Sequence, residues 1–137
     1  MTDQRPVPCV RGIVRDEFGK VLLLKRADTS YGEGGWCLPG GKVDYGETVE
    51  GAMRKELAEE TELSAADLRF LFYQDSPAAR PGEMHCINFY FECQAKGDLK
   101  LNSESSEVAW IGREDLAKYE VVFRNDEALL RYWQSRA

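Results

Sequence analysis

Glu56, Glu59 and Glu60 stand at i, i+3 and i+4 of one segment, a spacing that on an α-helix gathers three carboxylates within one turn. Like charges so placed repel by about 0.2–0.5 kcal/mol per pair unless a cation sits among them. Magnesium suits such a cluster: it takes oxygen ligands octahedrally and commonly keeps waters and substrate phosphates beside a few carboxylates. The residue types therefore point to metal-assisted chemistry on phosphates. A glutamate-rich helix face alone is an ordinary solvated surface, so the neighbouring sequence has to decide.

The elements that position these acids are legible from periodicity. Val49, Ala52, Met53 and Leu57 recur at helical steps, which predicts a helix from the cap residue Thr48 to about Thr61, with the glutamates on the side away from that apolar stripe. Before it, Val7 to Arg15 and Val21 to Arg26 are apolar, β-branched runs separated by Asp16, Glu17, Phe18 and Gly19, which reads as a β-hairpin. Ala27 to Gly46 is dense in glycine and predicts loops that turn sharply or approach a ligand. Further strands are expected at Leu68 to Tyr73, at Met84 to Ala95 with Ile87, Phe89, Phe91 and Cys93 on one face, and at Val108 to Ile111. Pro77 to Gly82 forms a loop, Arg113 to Lys118 short helical material, and Asn125 caps a closing helix carrying Leu129, Leu130 and Trp133. The order predicts one α+β domain over 1–137, with helices packed on a mixed, mostly antiparallel sheet. Phe70, Phe72, Phe89 and Phe91 are expected in the core.

Composition narrows the function classes. With 137 residues, 43% hydrophobic and 31% charged, the chain has the size and balance of one soluble domain. No run approaches the roughly 20 apolar residues that span a bilayer, and Met1 to Arg11 lacks an apolar signal segment; the expected location is cytoplasmic, with no membrane partner. The formal net charge of −6 opposes nucleic-acid binding, which needs clustered Lys and Arg. Cys9, Cys37, Cys86, Cys93 and the single His85 match no short zinc spacing.

The segment Gly41 to Leu63 reads GKVDYGETVEGAMRKELAEETEL. It resembles the Nudix box, whose pattern is Gly, five residues, Glu, seven residues, then Arg-Glu-aliphatic-any-Glu-Glu-any-Gly-aliphatic. Gly41, Glu47, Glu56, Leu57, Glu59, Glu60 and Leu63 fall at those intervals, and the preceding Gly35 to Gly40 is similar to the family's usual lead-in. Lys55 departs from the family arginine, keeping the charge but losing the planar fork. Glu62 departs from a glycine that suits a left-handed helix end, where another residue costs roughly 1 kcal/mol. The resemblance implies an α/β/α sandwich, Mg2+ or Mn2+ as cofactor, and hydrolysis of a nucleoside diphosphate linked to another moiety. Nucleoside triphosphates and nucleotide sugars such as ADP-ribose both remain open as substrates.

The resemblance also assigns roles. Glu56, Glu59 and Glu60, with the carbonyl of Gly40, would hold the metal, and Glu47 would pair with Lys55 to orient the cluster. A catalytic acid from outside the box is expected, Glu104 before Glu107; His85 is read as structural. For substrate, Arg26 would meet phosphate beside the Gly41 turn, and Tyr31 and Trp36 are the aromatics placed to stack. Phe123 and Asn125 resemble a position where some triphosphatases read a base, against the simpler reading of core and cap. Many relatives complete their pocket by pairing, which leaves a homodimer open. A nucleotide-sensing domain without catalysis is the rival, disfavoured because such domains usually lose box glutamates that are all present here.

Overall fold

β2 (Val21–Arg26) shows why the chain folds in layers. Its first four residues are fully buried, Leu22 and Leu24 in one core, Val21 and Leu23 in another. A strand is apolar on both sides only when both faces of its sheet are covered. The computed structural model, which describes residues 5–27 and 34–136, supplies a helix on each face.

The sheet runs β3 (Trp36–Cys37), β2, β1 (Val7–Arg15), β6 (Cys86–Lys96), β5 (Ser64–Ser76). β4 (Gly40–Lys42) pairs with β1, and β7 (Ser105–Ile111) pairs with β2. Only the β1–β6 ladder among the named strand pairs is parallel, Val7 opposite Cys86 through Arg15 opposite Gln94; the others are antiparallel. The expected mixed, mostly antiparallel sheet is what the chain forms.

α1 (Val49–Thr61) spans the expected residues and starts where Thr48 Oγ1 accepts from the Gly51 amide at 2.9 Å. Ala52, Met53 and Leu57 bury against Val10, Val14, Leu22 and Phe91. α2 (Asn125–Ser135) lays Ala128, Leu129 and Tyr132 on Ile13, Leu23 and Tyr90 of the other face. The α/β/α sandwich follows from these two cores, and Arg113–Lys118 adds a short 3-10 helix before α2.

The structure departs from the sequence expectations in four places. β5 and β7 are longer than their apolar runs, because ladder bonds to a neighbour carry them through the polar ends. The glycine-rich stretch contains two short strands, β3 and β4. Phe70 is 53% exposed and not core, since β5 forms one edge of the sheet. Leu130 is likewise exposed, pointing off the buried side of α2. Among the described residues no helix is long and apolar enough to cross a membrane.

Candidate active site

Glycine places the loop that carries β4. A Cβ on Gly40 would lie 2.0 Å from the Val10 carbonyl oxygen, and one on Gly41 would lie 2.7 Å from the Glu56 carboxyl carbon. At Gly40 only glycine lets the backbone pass this close to β1, whereas at Gly41 the Glu56 side chain could shift. The Gly40 amide then donates to Glu60 Oε1 at 2.9 Å, tying the end of α1 to β4.

The three glutamates of α1 are not equivalent, contrary to a single outward-facing cluster. Glu60 is buried at 7% exposure, Glu56 is half-buried and Glu59 is exposed. Burial pushes the Glu60 carboxyl up to about 8, against the lowering effect of the Gly40 amide and Arg11; nearby Glu56 and Glu104 raise it further. Glu56 is raised as well, by burial first and then by Glu59. Charge is crowded where water is scarce, the condition in which a bound cation relieves most. The all-oxygen donor set fits a hard divalent cation. Among the described residues no three acidic, His or Cys side chains already close into a cage, so such a cation would draw waters and substrate oxygens into its shell.

Glu47 and Lys55 form the expected pair, Lys55 Nζ to Glu47 Oε2 at 2.7 Å, and Lys55 also reaches Asp44 at 3.0 Å. Hydrogen bonding to Lys55 and the Asp44 amide lowers Glu47, and the two acids raise Lys55. The lysine thus staples the loop before α1 to the helix. Glu62 ends α1 at φ 61°, left-handed, donating its amide to Ala58. This is the conformation expected of the missing glycine.

A cleft of about 210 Å³ opens beside Glu60, Gly40 and Gly41. Arg11, Arg26, Phe123 and Glu104 line it too. The guanidiniums of Arg11 and Arg26 lie 5.2 and 4.8 Å from the centroid of the Phe123 ring. Glu104 therefore shares the site, whereas Glu107 pairs with Lys25 at 3.1 Å away from it. His85 lines a separate groove with the 77–83 loop. A larger, open hollow of about 690 Å³ over Phe72, Tyr73 and Arg131 contains none of the box glutamates.

Other substrate candidates are redistributed. Phe123 is no core residue: it lines the cleft at φ 61°, followed by Arg124 at φ 59°. Two successive left-handed, non-glycine residues are strained by about 1–2 kcal/mol each and need support. Asn125 gives it, accepting from the Leu38 amide at 2.9 Å and donating to the Tyr90 hydroxyl and the Phe123 carbonyl. It is fully buried and absent from the cleft lining; the cap position is Arg124, whose side chain makes no capping bond but pairs with Glu127 at 2.6 Å. Trp36 is turned against Tyr119, edge-on at 5.0 Å, and is absent from the cleft lining. Tyr31 lies outside the described residues.

Arg11 and Asn88 are cleft residues that the sequence reading passed over. Asn88 is 4% exposed and lines the cleft. The available signal was the second phase of β6: beside the apolar Ile87, Phe89, Phe91 and Cys93 run Cys86, Asn88, Tyr90 and Glu92. In a strand covered on both faces, polar residues at alternate positions mark a site or a buried network.

The fold and this arrangement define a class. The model of the NUDIX domain family matches residues 5–132. The nucleoside triphosphatase NudI of Escherichia coli O81 (strain ED1a) is 34% identical over 131 residues, covering 86% of this chain and 89% of that protein. A MutT NUDIX hydrolase from Burkholderia pseudomallei superimposes with a TM-score of 0.81 at 26% identity, covering 91% of this chain and 96% of the other. The NUDIX domain of Shewanella oneidensis NrtR, solved with ADP ribose, shares the fold with a TM-score of 0.81 at 18% identity, covering 98% and 91%. The chain belongs to the NUDIX family. It is a hydrolase, of a family that generally uses divalent metals.

Proposed function

We propose that the protein is a magnesium- or manganese-dependent pyrophosphohydrolase that splits a nucleoside triphosphate into the monophosphate and pyrophosphate. One observation carries the reading: a single cleft joins a buried glutamate on α1 to two guanidiniums that clasp an aromatic ring. The similarity to a nucleoside triphosphatase over nearly the whole chain favours a triphosphate over a nucleotide sugar.

Glu56, Glu59 and Glu60, with the Gly40 carbonyl, would hold the metal, which when bound supplies charge neutralisation at phosphorus and a more acidic water. Arg11 and Arg26 bind phosphate oxygens through planar, charge-assisted forks. Their stacking on Phe123 fixes both planes before substrate arrives, which lowers the cost of ordering them. Glu104 accepts the proton of the attacking water, and the Glu47–Lys55 pair holds the loop that carries Gly40 and Gly41. Asn88, at the far end of the cleft, offers a carboxamide to the nucleoside.

The test is a panel of nucleoside triphosphates and ADP-ribose, with Mg2+ and with chelator, read by product identity. Monophosphate and pyrophosphate from triphosphates, abolished by chelator, are the expected products. Cleavage of ADP-ribose alone would overturn the substrate assignment.

A further inference from the structure

Two thiols share one wall of the cleft. Cys9 of β1 and Cys86, the first residue of β6, both line it. In the parallel register Cys9 faces Asn88 and Cys86 faces Val7, so strand alternation puts both side chains on the same side of the sheet as diagonal neighbours. The Cys9 thiol donates to the Val7 carbonyl at 3.8 Å, and the two thiols are close enough to shift each other's acidity.

The pair is asymmetric. Cys9 is buried at 3% exposure, whereas Cys86 is half-buried at the mouth of its strand. The neighbouring Cys9 thiol lowers Cys86 to about 7, and Arg11 and Lys42 add to the effect against burial; Cys9 is raised. A half-exposed sulfur between cations is the setting of a reactive thiolate. The remaining cysteines, Cys37 and Cys93, are buried and raised by burial.

We propose that Cys86 and Cys9 form a peroxide-sensitive thiol pair whose oxidation obstructs the cleft. The Cys86 thiolate attacks a hydroperoxide; an S–O bond forms as the O–O bond breaks, and the departing oxygen leaves as hydroxide and takes up a proton. Cys9 then gives up its proton and attacks the Cys86 sulfenic sulfur, forming the S–S bond and releasing water. Two thiols lose two electrons, and hydrogen peroxide becomes two waters. With strands about 4.8 Å apart and a rise of about 3.3 Å per residue, diagonal neighbours on this parallel pair lie about 8 Å apart, beyond the about 7 Å that a disulfide tolerates. Closure therefore draws the start of β6 toward β1, displaces the wall beside Asn88, and yields a strained bond that a dithiol readily reduces. The obstruction rests on the cleft being the substrate site; the bridge itself does not.

The experiment exposes the whole chain to stoichiometric hydrogen peroxide, alkylates remaining thiols, and maps peptides by mass while hydrolysis is followed in parallel. The expected result is a Cys9–Cys86 linked peptide lighter by two hydrogens, a rate reduced by about tenfold or more, and recovery with dithiothreitol. Cys86→Ser should keep its own untreated rate, and Cys9→Ser should stop at oxidised Cys86. Absence of the linked peptide, or oxidation of Cys37 and Cys93 as fast as Cys86, overturns the pair. A linked peptide with undiminished hydrolysis overturns the obstruction. Should no nucleotide be hydrolysed at all, the mass map still decides the pair, while the functional assignment fails separately.

Discussion

The two ends of the cleft are built in different ways. The acidic end comes from one helix and the glycine loop before it: Gly40, Gly41 and Glu60 line it and lie within one short stretch of chain. The cationic end is assembled from Arg11 on β1, Arg26 at the end of β2 and Phe123 just before α2, brought together only by the sheet. Under the proposed function, the chemistry that needs fixed charge spacing sits on a local scaffold, and recognition sits on long-range contacts. The acidic end should thus govern turnover and the cationic end should govern binding.

The largest expected effect comes from Glu60→Gln. It keeps the shape and the Gly40 contact but removes the buried charge, and kcat should fall by about 100–1,000-fold or more, the range seen when one electrostatic contact to the transition state is lost. Circular dichroism should show an intact fold. A kcat within threefold of wild type, or about 0.65 kcal/mol, would erase the distinction between the ends.

Arg11→Ala comes next. Losing a charge-assisted phosphate contact costs about 1.5–3 kcal/mol, roughly 10–100-fold in kcat/KM, and the loss should appear mainly as a raised KM. If kcat falls while KM stands still, the cationic end works on the transition state instead. Asn125→Ala removes the support of the left-handed Phe123–Arg124 pair and leaves the Leu38 amide unpaired. We expect a loss of about 1–3 kcal/mol in chemical denaturation together with a raised KM, because Phe123 no longer holds the guanidiniums.

The ease of reading follows the same division. The box glutamates, the Thr48 cap, the span of α1 and the Glu47–Lys55 pair were all legible, because helix periodicity and short spacings encode them directly. Arg11 was not, since an arginine in a strand gives no local sign that Phe123, far along the chain, will stack on it. Asn125 looked like a helix cap because asparagine before an apolar stripe normally is one; its bond to Leu38, 87 residues away, overrides that habit. Phe70 looked like core because nothing in its own sequence shows that β5 is an edge.

Acidity separates the ends more gently. Burial raises Glu60 to about 8 from an ordinary value near 4.5. Its protonated form therefore contributes stability that is full below about 4.5 and is lost as pH rises through about 8. A divalent cation favours the ionised form, so Mg2+ should raise the melting temperature more at pH 8 than at pH 5.5. Equal shifts at both pH values would place the ion away from Glu60.

The smallest effect tests the helix end alone. Glu62→Gly relieves the left-handed φ of 61° and should add about 0.5–1 kcal/mol of stability, leaving kcat and KM as they were. A destabilised variant would mean that the Glu62 side chain supports α1 in some way its geometry does not reveal.

The most direct trial of the central claim is pyrophosphate release from a nucleoside triphosphate, measured against Mg2+ concentration for the wild type and for Glu60→Gln. A saturable rise in the wild type that chelator removes, and that the variant lacks, is the outcome that follows from a cation held at the buried glutamate. An unchanged rate without metal, or the same activation curve in both proteins, would contradict it.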